Sequence, residues 1–156
     1  MSTEISPASA DFQSGSGPAA AVSGDERTWA TLAHWTILLN LVTGFLGPIA
    51  ALIVYFMYRD RSRYVSYHAM QSFVFQLITW YGGGLLVGLV WSITGLLSIV
   101  LVGLFLIPIA CVVTAVIGLL PVGGLVYSVW AGLETNQGKD FKYWLVGDWV
   151  RGTLTG

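Results

Sequence analysis

The chain has 156 residues, seven Lys and Arg against eight Asp and Glu, a formal net charge of −1, and 55% hydrophobic against 10% charged residues. Soluble domains carry roughly 25% charged residues, so a chain with a mean hydropathy of +0.73 has too little polar surface to cover itself in water. No basic run lies outside one short loop, which excludes nucleic acid as a partner, and the single cysteine, Cys111, excludes a disulfide framework or a cysteine metal cluster.

Residues Met1 to Gly24 are rich in Ser, Ala, Gly and Pro and are expected to form a disordered tail, because they bury too little to offset the entropy of ordering. They lack a basic segment leading into an apolar core, so no cleavable signal peptide is expected. Asp25, Glu26 and Arg27 then open a helix whose acidic first turn suits the positive end of the helix dipole.

The first apolar block, Thr28 to Tyr58, holds no charge, and Thr43-Gly44-Phe45-Leu46-Gly47-Pro48 interrupts its helical pattern. Gly44 is a natural helix stop and Pro48 a natural first-turn residue. The block reads either as one kinked span or as a tight hairpin, Asp25 to Thr43 out and Gly47 to Tyr58 back. The hairpin gathers the Lys and Arg residues on one face, but its return helix of about a dozen residues covers only ~18 Å of a ~30 Å hydrocarbon core.

Between Thr28 and Leu133 the only formal charges are Arg59, Asp60, Arg61 and Arg63. A charged patch between two apolar stretches reads as a turn at a membrane surface, because an unpaired guanidinium is costly in hydrocarbon. Arg59, Arg61 and Arg63 are candidate topology and lipid contacts. The second apolar block, Tyr64 to Leu133, is expected to hold two long spans that reverse between Gly84 and Gly103, with Pro108 and Pro121 kinking or breaking the last helix. Three spans there would separate Lys139, Lys142 and Arg151 from the arginine loop.

From His68 onward, His68, Gln71, Ser72, Gln76 and Thr79 fall within an arc of roughly 140° on one helix side. This polar contact stripe has three readings: hydrogen bonding between helices, a hydrated groove or partner surface, and a proton relay through His68. The relay reading lacks an acidic partner in either apolar block. His34 falls at the level of His68 in the hairpin arrangement, yet two imidazoles without a further ligand do not make a typical metal site, and neither metal nor cofactor is expected. Trp29, Trp35, Tyr55, Tyr58, Tyr64 and Tyr67 flank the boundaries as interfacial anchors.

The last helix carries small residues four apart, Ala110, Thr114, Gly118 and then Gly124, Ser128, Gly132, which with Gly84 and Gly88 allow close helix approach within the chain or between copies. Asn136-Gln137-Gly138-Lys139-Asp140 forms a polar turn, and Phe141 to Val146 is an aromatic stretch suited to the interface. There is no phosphate loop, no Gly-x-Ser-x-Gly elbow and no intramembrane carboxylate pair, so neither hydrolysis nor phosphoryl transfer is expected and the chain reads as no enzyme.

The segment Ser62 to Ser72, SRYVSYHAMQS, resembles the motif of the Tic-type chloroplast inner-envelope import component and its bacterial relatives. Glu26 to Trp35, Gly44 to Pro48, His68 to Gln71 and Asn136 to Gly138 are similar to a related bacterial and archaeal family of unknown function. The resemblance runs from about Glu26 to Gly147. It implies four membrane helices with both termini on one side and, through the plant members, an oligomeric pore or protein-translocation component. The plant pattern has a longer connection between its first two helices than Thr43 to Gly47.

The expected architecture is therefore an all-α polytopic transmembrane bundle of four helices with a short first hairpin, or three spans if the first helix is kinked. Its parts are a tail (1–24), a transmembrane domain (25–133) and a cytoplasmic C-terminal tail with an interfacial aromatic segment (134–156). The expected role is an accessory or scaffold subunit in the cell membrane, both termini cytoplasmic. Its partners are the lipid bilayer and other membrane proteins or further copies of itself.

Overall fold

A computed structural model describes residues 21–155, and the tail expected over Met1 to Gly24 lies almost wholly outside the described residues. The described residues are helical, with no strand among them. Helix α1 (Gly24–Trp35) opens with a capping box: the Ser23 side chain accepts from the Glu26 N–H at 3.2 Å and Glu26 accepts from the Ser23 N–H at 2.8 Å. It passes through a 3₁₀ turn (Thr36–Leu38) into α2 (Leu39–Thr43), which stops at Gly44 with φ +79°, a left-handed conformation that suits glycine.

Helix α3 (Leu46–Tyr58) begins two residues later with Pro48 in its first turn, where the missing N–H costs nothing. The first apolar block is thus a helical hairpin and not one kinked helix. After the arginine loop, Ser62 caps α4 (Arg63–Gln76) through the Val65 N–H at 3.2 Å. The Ser62 hydroxyl also donates to Glu26 at 2.6 Å, joining the loop to the start of α1. The widened π turns Leu77–Gly82 carry α4 into α5 (Gly83–Ser98) without a break. The chain reverses at Ile99 to Leu101, inside the expected window, with Leu101 at φ +67° and Gly103 so close to Thr94 and Ser98 that a side chain there would overlap both.

Helix α6 (Val102–Asn136) returns as one continuous 35-residue helix, so the break allowed for at Pro108 and Pro121 does not occur; both prolines lie inside the helix. Prolines are tolerated in helices of this apolar kind when neighbouring groups satisfy the freed carbonyls. After the Asn136 to Gly138 turn, the chain crosses back over the bundle and closes with α7 (Gly147–Thr155).

Two helical stretches, Arg63–Ser98 (36 residues) and Val102–Asn136 (35 residues), are long and apolar enough to cross a membrane. The expectation was a four-helix transmembrane bundle with a short first hairpin, or three spans, and two stretches of spanning length are found. The 13 residues of α3 reach only ~20 Å, and α1 carries charge in its first turn, so the hairpin adds helices to the bundle without adding a third or fourth stretch of spanning length.

The charged groups of the described residues gather at one end. Arg27 lies against Gly138, Tyr64 reaches the Lys139 carbonyl, and Arg151 pairs with Asp140 at 2.7 Å. Below this end, α1, α3 and α4 pack around Ala33, Val54, Val65 and Ala69, and Phe75 of α4 forms a second cluster with Ala131 of α6, Tyr143 and Val146. Farther out only α5 and α6 remain paired, and Leu85, Leu96, Ile99, Phe105 and Val112 are exposed around them, as lipid-facing side chains are.

Candidate functional site

The polar stripe of α4 lies inside the molecule. His68, Gln71, Ser72 and Gln76 are fully buried and Thr79 nearly so. Ser72 donates to the Ala33 carbonyl at 2.7 Å, and Gln76 donates to Thr36 at 2.9 Å and Ser72 at 3.0 Å, tying α4 to the first hairpin. Asn40, a residue the sequence reading passed over, donates to Gln76 at 3.3 Å and accepts the Gly47 N–H at 2.8 Å. A β-carbon on Gly47 would meet both of those side chains, which is why glycine stands at the start of α3. Thr79 turns the other way, its hydroxyl on the Phe75 carbonyl and its side chain against Gly124 of α6.

At the charged end the stripe meets the C-terminal segment. Gln71 accepts the Tyr143 N–H at 3.1 Å and donates to the Phe141 carbonyl at 2.8 Å, so its amide orientation is set by a main-chain donor and a main-chain acceptor. Its remaining amide hydrogen faces His68 Nδ1 at 3.1 Å. That nitrogen accepts from the amide, which places the His68 proton on Nε2, and His34 Nε2 lies 3.2 Å from the same nitrogen. The Tyr143 hydroxyl bridges His34 Nδ1 at 3.0 Å and Ser128 at 2.9 Å. Burial pushes the Tyr143 phenol well above its ordinary pKa of 10.0, so the hydroxyl stays neutral and hydrogen-bonded.

One atom of this network has no partner among the described residues: His68 Nε2, which points at Asp140 Oδ1 across 4.0 Å. The acidic neighbour that neither apolar block supplies comes from the polar turn after α6. Beside Asp140 a cavity of about 420 Å³ opens between Arg63, Ser66, Tyr64 and Tyr67 on α4, and Gly138 and Arg151 on the C-terminal segment.

The three arginines of the loop separate. Arg59 pairs with Asp60 at 3.1 Å, Arg61 is exposed, and Arg63 lines the cavity. Of the aromatic residues read as anchors, Trp29 packs on Tyr58, the Trp35 indole donates to the Val129 carbonyl at 3.4 Å, and Tyr67 donates to the Gly147 carbonyl at 3.3 Å. In the aromatic stretch, Trp144 and Leu145 are exposed, whereas Tyr143 is wholly buried and stacks on Phe75 at 4.2 Å.

The small residues also divide. Ala110 and Ser128 are buried, and Gly132 meets the Trp35 ring so closely that a β-carbon would overlap it. Gly84, Gly88, Gly95 and Gly118 face open space, where a β-carbon would touch nothing.

A model of the magnetosome magnetite crystal formation protein family (MamF/MmsF) matches residues 25–150. The chain belongs to this family. Its members are small magnetosome membrane proteins, in keeping with the two apolar stretches of spanning length in this MamF/MmsF chain. No curated protein and no solved structure matches it.

The family match overturns the resemblance to the Tic-type import component, and with it the support for a translocation pore. The residues that carried that resemblance have structural work: Ser62 caps α4, Tyr64 and Tyr67 hold main-chain carbonyls, and His68 and Gln71 anchor the C-terminal segment. A short motif of packing and capping residues identifies a type of helix junction more readily than a function.

Proposed function

We propose that this MamF/MmsF protein is a non-enzymatic accessory subunit of the magnetosome membrane that takes part in magnetite crystal formation by holding other membrane proteins, or further copies of itself, beside it. The observation that carries this reading is the open face of α5. Gly84, Gly88 and Gly95, with Ser92 between them, recur at helical spacing on a surface where added β-carbons meet nothing, and such faces let a neighbouring helix approach closely in lipid. Apart from His68 Nε2, the polar groups of the buried stripe are used within the chain, which favours a contact surface over an internal reaction centre.

In this reading the two long helices span the bilayer, the first hairpin packs beside them in one leaflet, and both termini with the arginine loop face the cytoplasm, as the excess of Lys and Arg at the charged end favours. The test of function is crosslinking and affinity capture from native magnetosome membranes, comparing the natural chain with a Gly84→Ile, Gly88→Ile variant, alongside the size distribution of the crystals. The variant is expected to insert at normal levels, lose its crosslinked partners and alter the crystals. Unchanged crosslinks and unchanged crystals would sink the proposal. Orientation is read separately by impermeant thiol labelling of Phe45→Cys and Lys139→Cys in a Cys111→Ser background, where protection of Lys139→Cys on intact vesicles would reverse the assignment.

A further inference from the structure

The C-terminal segment does not leave the bundle where α6 ends. The Tyr143 hydroxyl meets Ser128 at 2.9 Å and Val146 shares a buried cluster with Ala131, so residues 141–146 run back beside α6 to a level ~12 Å inside its end at Asn136. On the other side they meet Gln71, ~12 Å along α4 from Arg63, and Phe75 beyond it. From Tyr143 onward the backbone turns helically, the Gly147 N–H on the Tyr143 carbonyl at 2.9 Å and the Val150 N–H on that of Val146 at 3.0 Å. Tyr143, Val146 and Val150 turn inward, while Trp144, Leu145 and Trp149 stay outside, Trp144 with 86% of its surface exposed.

That level belongs to the apolar belt of the long helices. Trp130 and Leu133 of α6 are exposed closer to its end than Ser128 is, so the lipid around them also surrounds the level of Trp144, whose N–H meets the Tyr127 hydroxyl at 3.4 Å. Irregular backbone is tolerated at membrane depth only where the protein buries it and supplies its partners. Here Gln71 takes the Phe141 carbonyl and the Tyr143 N–H, Tyr127 takes the Trp144 N–H, and Tyr67 takes the Gly147 carbonyl. The charges of the segment are paired as well, Lys142 with Asp148 at 2.9 Å and Arg151 with Asp140 at 2.7 Å, which suits the headgroup boundary and not the hydrocarbon centre.

We infer that the chain from Phe141 through α7 is seated in the bilayer, in the headgroup-to-acyl boundary of the leaflet that holds the charged end, with Trp144, Leu145 and Trp149 inserted among the lipids. Its partner is the lipid surface itself, into which amphipathic segments of this kind sink by ~5–10 Å. The inference rests on the reading that the two long helices span.

The test places a nitroxide at Trp144→Cys, Leu145→Cys or Trp149→Cys in a Cys111→Ser background, with the full chain in phosphatidylcholine vesicles. Its collisions with oxygen, which concentrates in the acyl layer, are compared with those of a water-soluble nickel chelate. All three side chains are exposed, so the substitutions leave the buried contacts of the segment intact. Leu86→Cys, on the outside of α5, marks the acyl layer, and Asp60→Cys, in the arginine loop, marks water. The oxygen-to-nickel ratio at Leu145 and Trp149 is expected to be several-fold above that at Asp60 and below that at Leu86. Ratios equal to that at Asp60, with Leu86 still favouring oxygen, would overturn the inference and leave the spanning reading intact. A Leu86 position that favours nickel would remove the spanning reading, and this inference with it. Shielding of the three positions from both reagents would put protein over this face, and that too would overturn the inference.

Discussion

His34 and His68, 34 residues apart in the chain, meet through ring nitrogens at 3.2 Å, with their rings edge to face at 5.3 Å. The contact joins α1 to α4 in a fully buried position, so each imidazole is held by the partners of the other. Removing one member leaves buried donors and acceptors unpaired, at a cost of about 1–3 kcal/mol for each stranded group. His34→Ala is expected to destabilise the protein by at least that amount in detergent unfolding titrations. A double-mutant cycle with His68→Ala should show that the two losses are far from additive. Additive losses would mean that the rings touch without coupling.

Gln71 holds the C-terminal segment at two main-chain points, Phe141 and Tyr143. Gln71→Leu keeps approximate volume but strands both. The expected outcome is faster amide exchange and earlier proteolytic cleavage between Gly138 and Gly147, with the helices of the bundle still protected. Unchanged protection would show that the stacking of Tyr143 on Phe75 suffices by itself.

The glycines offer a paired test. At Gly132 a β-carbon would run into the Trp35 ring, and Gly132→Val is expected to cost about 1–3 kcal/mol or more through overpacking. At Gly88 there is open space, and Gly88→Ala should stabilise the isolated protein by roughly 0.5–1 kcal/mol through helix propensity. Unfolding of both variants in one detergent decides the matter, since a substantial loss at Gly88→Ala would mean that the α5 face is already covered.

Alkaline pH supplies a fourth test. The folded pKa of Tyr143 lies above its ordinary value of 10.0 because the phenol is buried, so the unfolded chain ionises first. Its contribution to stability is complete below about pH 10 and is lost as pH rises beyond that value. Unfolding monitored by tyrosinate absorbance should show a limb in this range that shrinks in Tyr143→Phe.

Much of this arrangement was readable from spacing alone. Gly44 and Pro48 marked the hairpin turn because their backbone constraints act locally, and the arc of His68, Gln71, Ser72, Gln76 and Thr79 marked an inward face because helical periodicity is local too. The partners of that face were harder to see. Asn40 stands alone in an apolar run, and Tyr143 sits in a stretch whose alternation suggests the interface, so neither announces a bond to a residue 36 or 109 positions away. Ser23 with Glu26 did offer a legible signal, the Ser-x-x-Glu capping pattern, which places the start of α1 one residue before Asp25. Asp140 could be paired with His68 only by knowing how the chain turns after Gly138.

The number of helices changes along the length of the molecule: four run side by side near the charged end and two near the Ile99 to Leu101 turn. Seated in a bilayer with that turn at the far surface, such a body displaces more lipid from one leaflet than from the other. It is a wedge, broad where the charges lie, and wedges gather where a membrane curves toward their narrow end. A closed vesicle with the charged end outward has that curvature at every point of its surface.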